Sequence, residues 1–337
     1  MNNFYANPFY DILIDKSSTG RINPWADKKR KSILVAESFQ RLGEIKKAVN
    51  ISCCGNILEF LVFPDDKKKL YNANFCKARL CPMCAWRRSL KVYGQLERVM
   101  EVALKEDKYE FLFLTLTIRN CDEGSLSSTI DQLMKGYFNL MHKKKEVKRA
   151  VKGSFRALEV TYNSNSSSQS FDTFHPHFHC ILMVNKTYFH ATDAYISQQR
   201  FIELWRESLN IDYDPVLDIR KIGDSSCNLK KAVAETAKYS VKDADLLHED
   251  QNMMDKVIFT LDNALAGRRL ISFSGRFKEI FKALKLDDAI DGDLIRVGDE
   301  VLHEDDAIGR VRYAFNHEWY DYYRINECFE YVRLKQA

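Results

Sequence analysis

The stretch His175-Pro176-His177-Phe178-His179-Cys180-Ile181-Leu182-Met183-Val184 begins with three histidines at alternate positions and continues into an apolar run. This pattern predicts a buried strand. Because successive side chains of a strand point to opposite faces, His177 and His179 project from the same face, about 7 Å apart. Two imidazoles placed in this way can hold a divalent cation, with a third ligand from a neighbouring strand. The alternative is that these are ordinary buried histidines.

A second strand is predicted just upstream, at residues 155–161, with Glu159 at its middle. The Ser- and Asn-rich loop at 163–170 joins it to the histidine strand, so we expect an antiparallel hairpin. A carboxylate inside a buried strand is costly unless it is paired or bound to a metal. Glu159 is therefore the predicted third ligand, and His175 is the alternative. An ordinary ion pair on the strand face is the other interpretation of Glu159.

Residues 229–244 are predicted to form one helix that carries three polar residues on a single face. At 100° per residue, Glu235, Tyr239 and Lys242 fall within about 60° of one another. The opposite side is aliphatic. A tyrosine is a weak nucleophile until a base, a metal or a nearby cation activates it. Beside a metal site, Tyr239 is a candidate nucleophile and Lys242 could stabilise phenolate or phosphate charge, although such a trio is also typical of a solvated face.

The nine cysteines fit a reducing compartment and metal binding better than a disulfide framework, because their number is odd and several are clustered. The run Cys76-Lys-Ala-Arg-Leu-Cys81-Pro-Met-Cys84 contains a Cys-x-x-Cys knuckle, and one upstream cysteine would complete a tetrahedral zinc site. Gly55 suits the tight turn of a knuckle, so Cys54 is preferred to Cys53. The predicted zinc ligands are Cys54, Cys76, Cys81 and Cys84.

A helix is predicted directly after the last of these cysteines, and it begins with several basic residues. The zinc is expected to be structural and to fix the start of this helix. Arg87 and Arg88 are candidates for contacts with phosphate, while a solvated basic face is the equally simple interpretation.

Composition and charge narrow the class of protein. The chain has 337 residues, of which 45% are hydrophobic, which argues against disorder and allows two or three packed units. No apolar run reaches the roughly 18 residues of a spanning helix, and the N-terminus lacks the layout of a signal peptide. We therefore expect a cytoplasmic protein without membrane contact. Residues 135–156 carry eight Lys or Arg against one acid, whereas residues 287–306 carry nine acids against one base. A polyanion would bind the first region and be repelled by the second.

The chain is predicted to divide into four segments. Residues 1–50 look weakly ordered at first and then carry a basic run. Residues 51–105 form the zinc-binding module with its helix, and residues 106–250 hold the chemistry. Residues 251–337 form an accessory region that ends in a small β-rich unit. Further strands are predicted at 111–118 and 215–222, and helices at 126–141 and 192–209.

Four motifs resemble those of the replication initiators of small rolling-circle plasmids from Gram-positive bacteria, members of the HUH endonuclease superfamily. The motifs span residues 51–245, and the tyrosine follows the histidines. They are Phe113-Leu-Thr-Leu-Thr117, His175-Pro-His-Phe-His179, Lys238-Tyr-Ser-Val-Lys242 and Cys76-Lys-Ala-Arg-Leu-Cys81-Pro-Met-Cys84-Ala-Trp-Arg-Arg88.

The resemblance implies an α+β fold, with a central antiparallel sheet of about five strands flanked by helices. It implies site-specific nicking of single-stranded or hairpin-extruded origin DNA, with Mg²⁺ or Mn²⁺ held by His177, His179 and Glu159. Tyr239 would form a 5′-phosphotyrosine, and Glu235 would activate water for termination. Lys238 joins the arginines as a candidate DNA contact. Expected partners are plasmid origin DNA, a host helicase with the replication machinery, and a second copy of the chain.

Two other classes of function remain open at this stage. The first is a zinc-stabilised DNA-binding regulator whose histidines and Tyr239 are structural. The second is a metal-dependent phosphohydrolase without a covalent step. The shared face of Glu235, Tyr239 and Lys242 favours the nicking enzyme.

Overall fold

The structure is a computed structural model, and it describes residues 12–17, 19–190, 194–223, 226–237, 241–289, 292–297 and 303–325. The chain folds into two units, one formed by Met1–Lys91 with Ala289–Ala337 and the other by Val92–Asp288. These units differ from the four predicted segments, because both ends of the chain belong to the unit that contains the cysteines. Within the described part of the chain, no helix is both long and apolar enough to cross a membrane.

The elements of the described residues are numbered in chain order. They are α1 (Trp25–Arg41), α2 (Ile45–Cys53), β1 (Ile57–Val62), β2 (Lys68–Ala73), α3 (Pro82–Lys105), β3 (Tyr109–Thr117), α4 (Leu126–Lys143), α5 (Lys145–Ala150), β4 (Val151–Asn163), β5 (Thr173–Asn185), α6 (Gln198–Leu209), β6 (Leu217–Lys221), α7 (Ser226–Thr236), α8 (Asp243–Leu246), α9 (Gln251–Leu265), β7 (Ile271–Ser274), α10 (Gly275–Ala283), β8 (Gly309–Asn316) and β9 (Asp321–Arg324).

The larger unit is built on a five-stranded sheet in the order β6-β3-β5-β4-β7, and every neighbouring pair is antiparallel. The predicted α+β class with a five-stranded antiparallel sheet is therefore confirmed, and so is the hairpin of β4 and β5. The sequence did not predict β7, which is only four residues long and leads directly into α10. Gly275 allows this junction, since it has φ +53° and an added Cβ would lie 2.3 Å from the Lys152 carbonyl oxygen.

Helices cover the apolar parts of both faces of this sheet. On one face, Tyr137 of α4 packs on Phe178 of β5, and its hydroxyl bonds the Ser154 hydroxyl of β4 at 2.8 Å. On the other face, Phe277 of α10 stacks on Phe111 of β3. The face of Phe111 is also the face of the alternate histidines, because Thr115 and Thr117 pair with His179 and His177. The site therefore lies on the α10 side, at the end of β5 where the apolar run begins.

The smaller unit contains a four-stranded sheet in the order β2-β1-β8-β9. Two predictions are corrected here. Residues 25–53 are helical, as α1 and α2, because Trp25, Val35 and Phe39 bury an apolar face of α1 that the basic run concealed. The C-terminal strands do not form a separate β unit, since β8 pairs with β1 over residues 57–62 and completes the sheet beside the cysteines.

The predicted single helix over residues 229–244 is wrong. Helix α7 ends at Thr236, Lys242 has extended backbone with φ −80° and ψ 152°, and α8 begins at Asp243. Residues 238–240 lie outside the described residues, so Tyr239 and Lys238 receive no structural description. The expected shared helical face of Glu235 and Lys242 therefore does not exist as one continuous helix surface.

Candidate functional site

The register of the β4–β5 hairpin brings Glu159, His177 and His179 together. Glu159 is directly opposite His177, and His179 is two residues further along the same face. Glu159 Oε2 lies 3.1 Å from His179 Nε2 and 3.7 Å from His177 Nε2. The two Nε2 atoms are 3.2 Å apart. One ligand atom from each residue lies within 4.8 Å of the others, which is the arrangement that a divalent cation requires.

Neighbouring groups orient both imidazoles towards this point. His177 Nδ1 lies 3.1 Å from the His175 carbonyl oxygen, and a carbonyl can only accept, so Nδ1 carries the proton. With a cation at this point, the neutral ring would present its Nε2 lone pair to the cation. Thr115 of β3 holds the other ring, with its Oγ1 at 3.3 Å from His179 Nδ1. Such partners for the second ring nitrogen are usual for histidines that bind metals.

Glu159 is the buried charge of the site, since only 2% of its surface is exposed. Among the described residues, no donor reaches either carboxylate oxygen with ordinary hydrogen-bond angles, although Lys242 Nζ lies 2.5 Å from Oε1. Burial by itself raises the pKa of Glu159, but His177, His179 and Lys242 outweigh it and hold the pKa well below its usual range. The carboxylate is therefore charged at neutral pH, and a cation fits beside it.

Lys242 contacts the same carboxylate, and this contact raises the pKa of Lys242. Burial lowers the pKa of Lys242, but the contact with Glu159 and the nearby carboxylates of Asp245 and Glu235 raise it above its usual value. Glu235 is half-buried at the end of α7 and within electrostatic reach of Lys242. Glu235 and Lys242 thus interact electrostatically, and they do not share a helix face because α7 ends at Thr236 and α8 begins at Asp243.

His175, the alternative third ligand, does not join the cluster of ligand atoms. Its ring stacks on His177 with centroids 5.1 Å apart, and its Nδ1 is buried without a partner among the described residues. Burial is the main cause that lowers its pKa to about 4, so the ring is neutral at physiological pH. The cluster of possible ligand atoms therefore contains Glu159 and not His175, whose ring packs on His177.

The cysteines gather in the smaller unit as a second cluster. One sulfur from each of the four predicted ligands lies within 4.8 Å of the others, and Cys54 Sγ and Cys76 Sγ lie 3.5 and 3.7 Å from Cys84 Sγ. Cys53 is exposed and does not belong to the cluster. Cys54 therefore takes the fourth position, at the point where α2 ends.

The surroundings of these sulfurs suit a metal held by thiolates. Backbone amides of Lys77 and Ala78 donate to Cys84 Sγ at 3.3 Å and to Cys76 Sγ at 3.4 Å. The ammonium of Lys29 is fully buried and donates to the Cys54 carbonyl at 2.9 Å. Burial lowers the pKa of Lys29 overall, although the neighbouring Cys54, Cys81, Cys53 and Cys76 raise it. A buried cation compensates the negative charge that four thiolates around one divalent ion would leave.

Comparison with known proteins assigns the family. A family model described as replication protein matches residues 67–323. The chain is 38% identical over 335 residues to Protein rep of Bacillus amyloliquefaciens, covering 92% of this chain and 95% of that protein. It is 39% identical to Protein rep of Streptococcus pneumoniae serotype 2, covering 86% and 88%. The chain belongs to the Rep family of plasmid rolling-circle replication initiators. It matches no solved structure at a significant level.

Arg87 and Arg88 of this Rep protein are not the DNA contacts that the sequence suggested. Arg87 Nε donates to the Leu294 carbonyl at 2.9 Å, and Arg88 Nη1 donates to the Ala78 carbonyl at 3.0 Å. Their exposed fractions are only 5% and 1%. Both guanidinium groups therefore form hydrogen bonds inside the smaller unit. The sequence pattern, basic residues at the start of a helix, did not indicate that they are buried.

Three residues with clear roles were not singled out from the sequence. Thr115 orients His179, Lys29 lies beside the cysteines, and Asp245 has a buried carboxylate whose Oδ1 accepts a hydrogen bond from the Tyr162 amide at 3.2 Å. Burial raises the pKa of Asp245. Thr115 lies in the Thr-Leu-Thr motif opposite His179, so strand pairing could have found it. Lys29 was hidden in a basic run.

Proposed function

We propose that this Rep protein nicks and rejoins plasmid origin DNA at a specific site, through a covalent bond to Tyr239, as a single-tyrosine HUH endonuclease. The observation that carries the proposal is the convergence of Glu159, His177 and His179 at one end of the five-stranded sheet. This geometry is suited to a divalent ion that binds a phosphate. Membership of the Rep family supplies the plasmid and its replication origin as the context.

His177, His179 and Glu159 would hold Mg²⁺ or Mn²⁺. The ion would supply Lewis-acid polarisation of the scissile phosphate and neutralise its charge. Oxygen and nitrogen ligands of this kind suit a hard or borderline cation. Lys242, beside Glu159, adds a positive charge at the position where a phosphate would arrive. We therefore assign Lys242 to charge neutralisation. This is the role predicted from the sequence, but Lys242 reaches the site from the segment before α8 and not from a helix face.

The covalent step is assigned to Tyr239. Its phenolic oxygen would attack the scissile phosphorus and form a P–O bond, while the bond from phosphorus to the 3′ oxygen breaks and that oxygen takes up a proton. The products are a 5′-phosphotyrosine and a free 3′-OH that primes synthesis. The DNA would be single-stranded or extruded as a hairpin, and a host helicase would then unwind the plasmid. A cytoplasmic location and assembly with a second copy of the chain remain part of the proposal.

Glu159→Gln tests the metal site, because it keeps the shape of the side chain and removes the charge. Nicking of a labelled origin oligonucleotide in Mg²⁺ or Mn²⁺ should fall by at least about 10²-fold, since the Lewis acid contributes several kcal/mol. Thermal stabilisation by added Mn²⁺ should disappear as well. Glu110→Gln is the matched control, as Glu110 is another strand glutamate paired to a lysine, Lys221, at 2.9 Å.

The same incubation separates the classes of function. A covalent adduct with the wild-type protein supports the nicking enzyme, DNA bound without cleavage supports the regulator, and cleavage without an adduct supports a phosphohydrolase. Full nicking by Glu159→Gln would remove the metal site from the mechanism.

We further propose that the cluster of Cys54, Cys76, Cys81 and Cys84 holds a structural zinc ion, at about one per chain. Replacing Cys81 and Cys84 together by serine should remove the zinc and lower the thermal midpoint, because such sites contribute folding free energy directly. Cys53→Ser is the control, since this thiol is exposed next to a ligand. Metal analysis and thermal unfolding measure both effects. Full zinc content in the double variant would contradict the assignment.

A further inference from the structure

The basic region at residues 135–156 has an exposed lysine face that the nicking chemistry does not use. Helix α5 buries Val147 and Ala150 and leaves its basic residues on the outside. We call Lys143, Lys145, Lys148 and Lys152 the lysine strip. All four are exposed. They lie on the last residue of α4, on α5 and on the second residue of β4, so a short, continuous piece of chain presents them.

Carboxylates do not neutralise this strip. The only acid of the region, Glu146, accepts from Arg200 through Nε at 3.1 Å and Nη2 at 2.8 Å. Glu207 is paired with Lys144 at 2.5 Å. Among the described residues, no ion pair is formed by Lys143, Lys145 or Lys148, and Lys152 Nζ donates to the Arg149 carbonyl. The strip is a local excess of positive charge, which attracts a polyanion.

Acids do lie at the same end of the sheet, and each is already paired. Asp107 bonds Lys186, Glu106 lies 2.5 Å from Arg276, and Glu110 pairs with Lys221. Their negative charges are compensated in place by cations outside the strip. The strip therefore keeps its excess charge although the surrounding surface is mixed.

The strip and the candidate metal site occupy opposite ends of one strand. Strand β4 begins at Val151, next to the strip, and Glu159 lies eight residues further along it. At about 3.3 Å per residue this separation is about 26 Å. A DNA duplex rises about 3.4 Å per base pair, so the same distance spans about eight base pairs. The path from the nick site to the strip is therefore at least about eight base pairs long.

We propose that the lysine strip binds the phosphate backbone of duplex DNA at least about eight base pairs from the nick. The inference rests on the proposed nicking function for the position of the DNA. Duplex is favoured over a single strand because it carries twice the phosphate charge per unit length. Single-strand surfaces also combine cations with aromatic stacking platforms, and α5 has no aromatic residue. Lysines contact phosphate as point charges and read no sequence, so the strip anchors the duplex without selecting it.

The salt dependence of binding tests this directly. The probe is a labelled 30-base-pair duplex of mixed sequence, measured by anisotropy between 50 and 200 mM NaCl with no Mg²⁺ or Mn²⁺ added, so that no cleavage is required. Lys145→Gln with Lys148→Gln should reduce the slope of log affinity against log salt by about 1.8, at about 0.9 per phosphate contact. Across this salt range, the variant should lose about twelve-fold less affinity than the wild type.

Lys282→Gln with Lys285→Gln is the matched control, because these two lysines are also exposed, also three residues apart and in the same unit. The control should keep the wild-type slope. Equal slopes for the two double variants would overturn the inference. A loss of binding to a 30-nucleotide single strand as large as the loss for the duplex would also overturn it, by assigning the strip to single-stranded DNA.

Nicking assays keep the outcome separate from that of the proposed function. The Lys145, Lys148 double variant should nick a short single-stranded origin oligonucleotide at the wild-type rate and nick supercoiled plasmid more slowly. Absence of any nicking by the wild type, together with a reduced duplex slope in the variant, would reject the proposed function and leave the duplex anchor standing.

Discussion

Tyr239→Phe is expected to form no covalent adduct with origin DNA while it binds the DNA nearly as the wild type does. The substitution removes one oxygen atom, which is the proposed nucleophile, and leaves an aromatic ring of the same shape. Binding should persist because it rests on contacts with phosphates and bases at many other positions. The measurement is a denaturing gel of labelled oligonucleotide with each protein, followed by peptide mapping of the wild-type adduct.

The structure argues against two other tyrosines, Tyr162 and Tyr137, as the nucleophile. The Tyr162 hydroxyl donates to Asp172 at 2.6 Å, and burial, followed by this carboxylate, raises its pKa well above the usual range. The Tyr137 hydroxyl is buried against Ser154, on the face of the sheet opposite the metal ligands. Neither phenol is a candidate for deprotonation near neutral pH.

Tyr195 provides the control, since it is 52% exposed and lies outside the metal cluster. Tyr195→Phe should form the adduct at the wild-type level. An adduct that persists in Tyr239→Phe, or a nucleotide mapped to Tyr195, would transfer the covalent role to another tyrosine and remove the reason for placing Glu235 beside the chemistry.

The cluster of Glu159, His177 and His179 could be predicted because strand geometry is nearly independent of context. Alternation places His177 and His179 on one face, and the short loop after β4 permits a hairpin. The remaining unknown was the register, which decides whether Glu159 or a neighbour lies opposite His177. Burial of a carboxylate pointed to Glu159, and Glu159 does lie opposite His177 in the structure. Three members of the cysteine cluster, Cys76, Cys81 and Cys84, could be predicted for the same reason, since their spacing is local.

Predictions failed where a long-range contact overrode a local pattern. The pairing of β8 with β1 joins residues about 250 positions apart, and the sequence of neither strand specifies its partner. The run over residues 229–244 has helical periodicity, yet the chain leaves the helix after Thr236 and brings Lys242 to within 2.5 Å of Glu159. Attraction to a buried carboxylate is a tertiary effect. The helical periodicity of a sequence gives no information about such an effect.

Glu235→Ala is expected to leave the first nick intact and to disable termination. In the proposed mechanism initiation uses Tyr239, whose oxygen then remains bonded to the 5′ phosphate. Ending the cycle needs a second cleavage at the regenerated origin, and a site with one tyrosine has no free phenol to perform it. A carboxylate can instead take a proton from water, which attacks the same position. Hydrolysis releases a 3′-OH that attacks the phosphotyrosine and closes the circle.

The position of Glu235 supports this assignment. Its side chain is at the end of α7, half-buried, and its charge contributes to the raised pKa of Lys242, which contacts Glu159. Loss of a general base typically costs about 10²–10⁴-fold, which a plasmid with two origins would reveal as multimeric single-stranded product. Glu235→Gln should behave in the same way, because it keeps the shape and loses the base. Lys231→Gln, an exposed change on the same helix, should terminate normally.

The two ways in which this experiment can fail lead to different mechanisms. Normal termination by Glu235→Ala would mean that Glu235 is only an electrostatic partner of Lys242. A second subunit or a second tyrosine would then have to make the final cut. Loss of the first nick as well would assign Glu235 to activation of Tyr239 or to support of the metal ligands. The second case can be recognised independently, because the Mn²⁺-dependent rise in thermal midpoint would then fall in Glu235→Ala as it does in Glu159→Gln. If Mn²⁺ still raised the thermal midpoint of Glu235→Ala but the first nick were lost, the role of Glu235 would be activation of Tyr239.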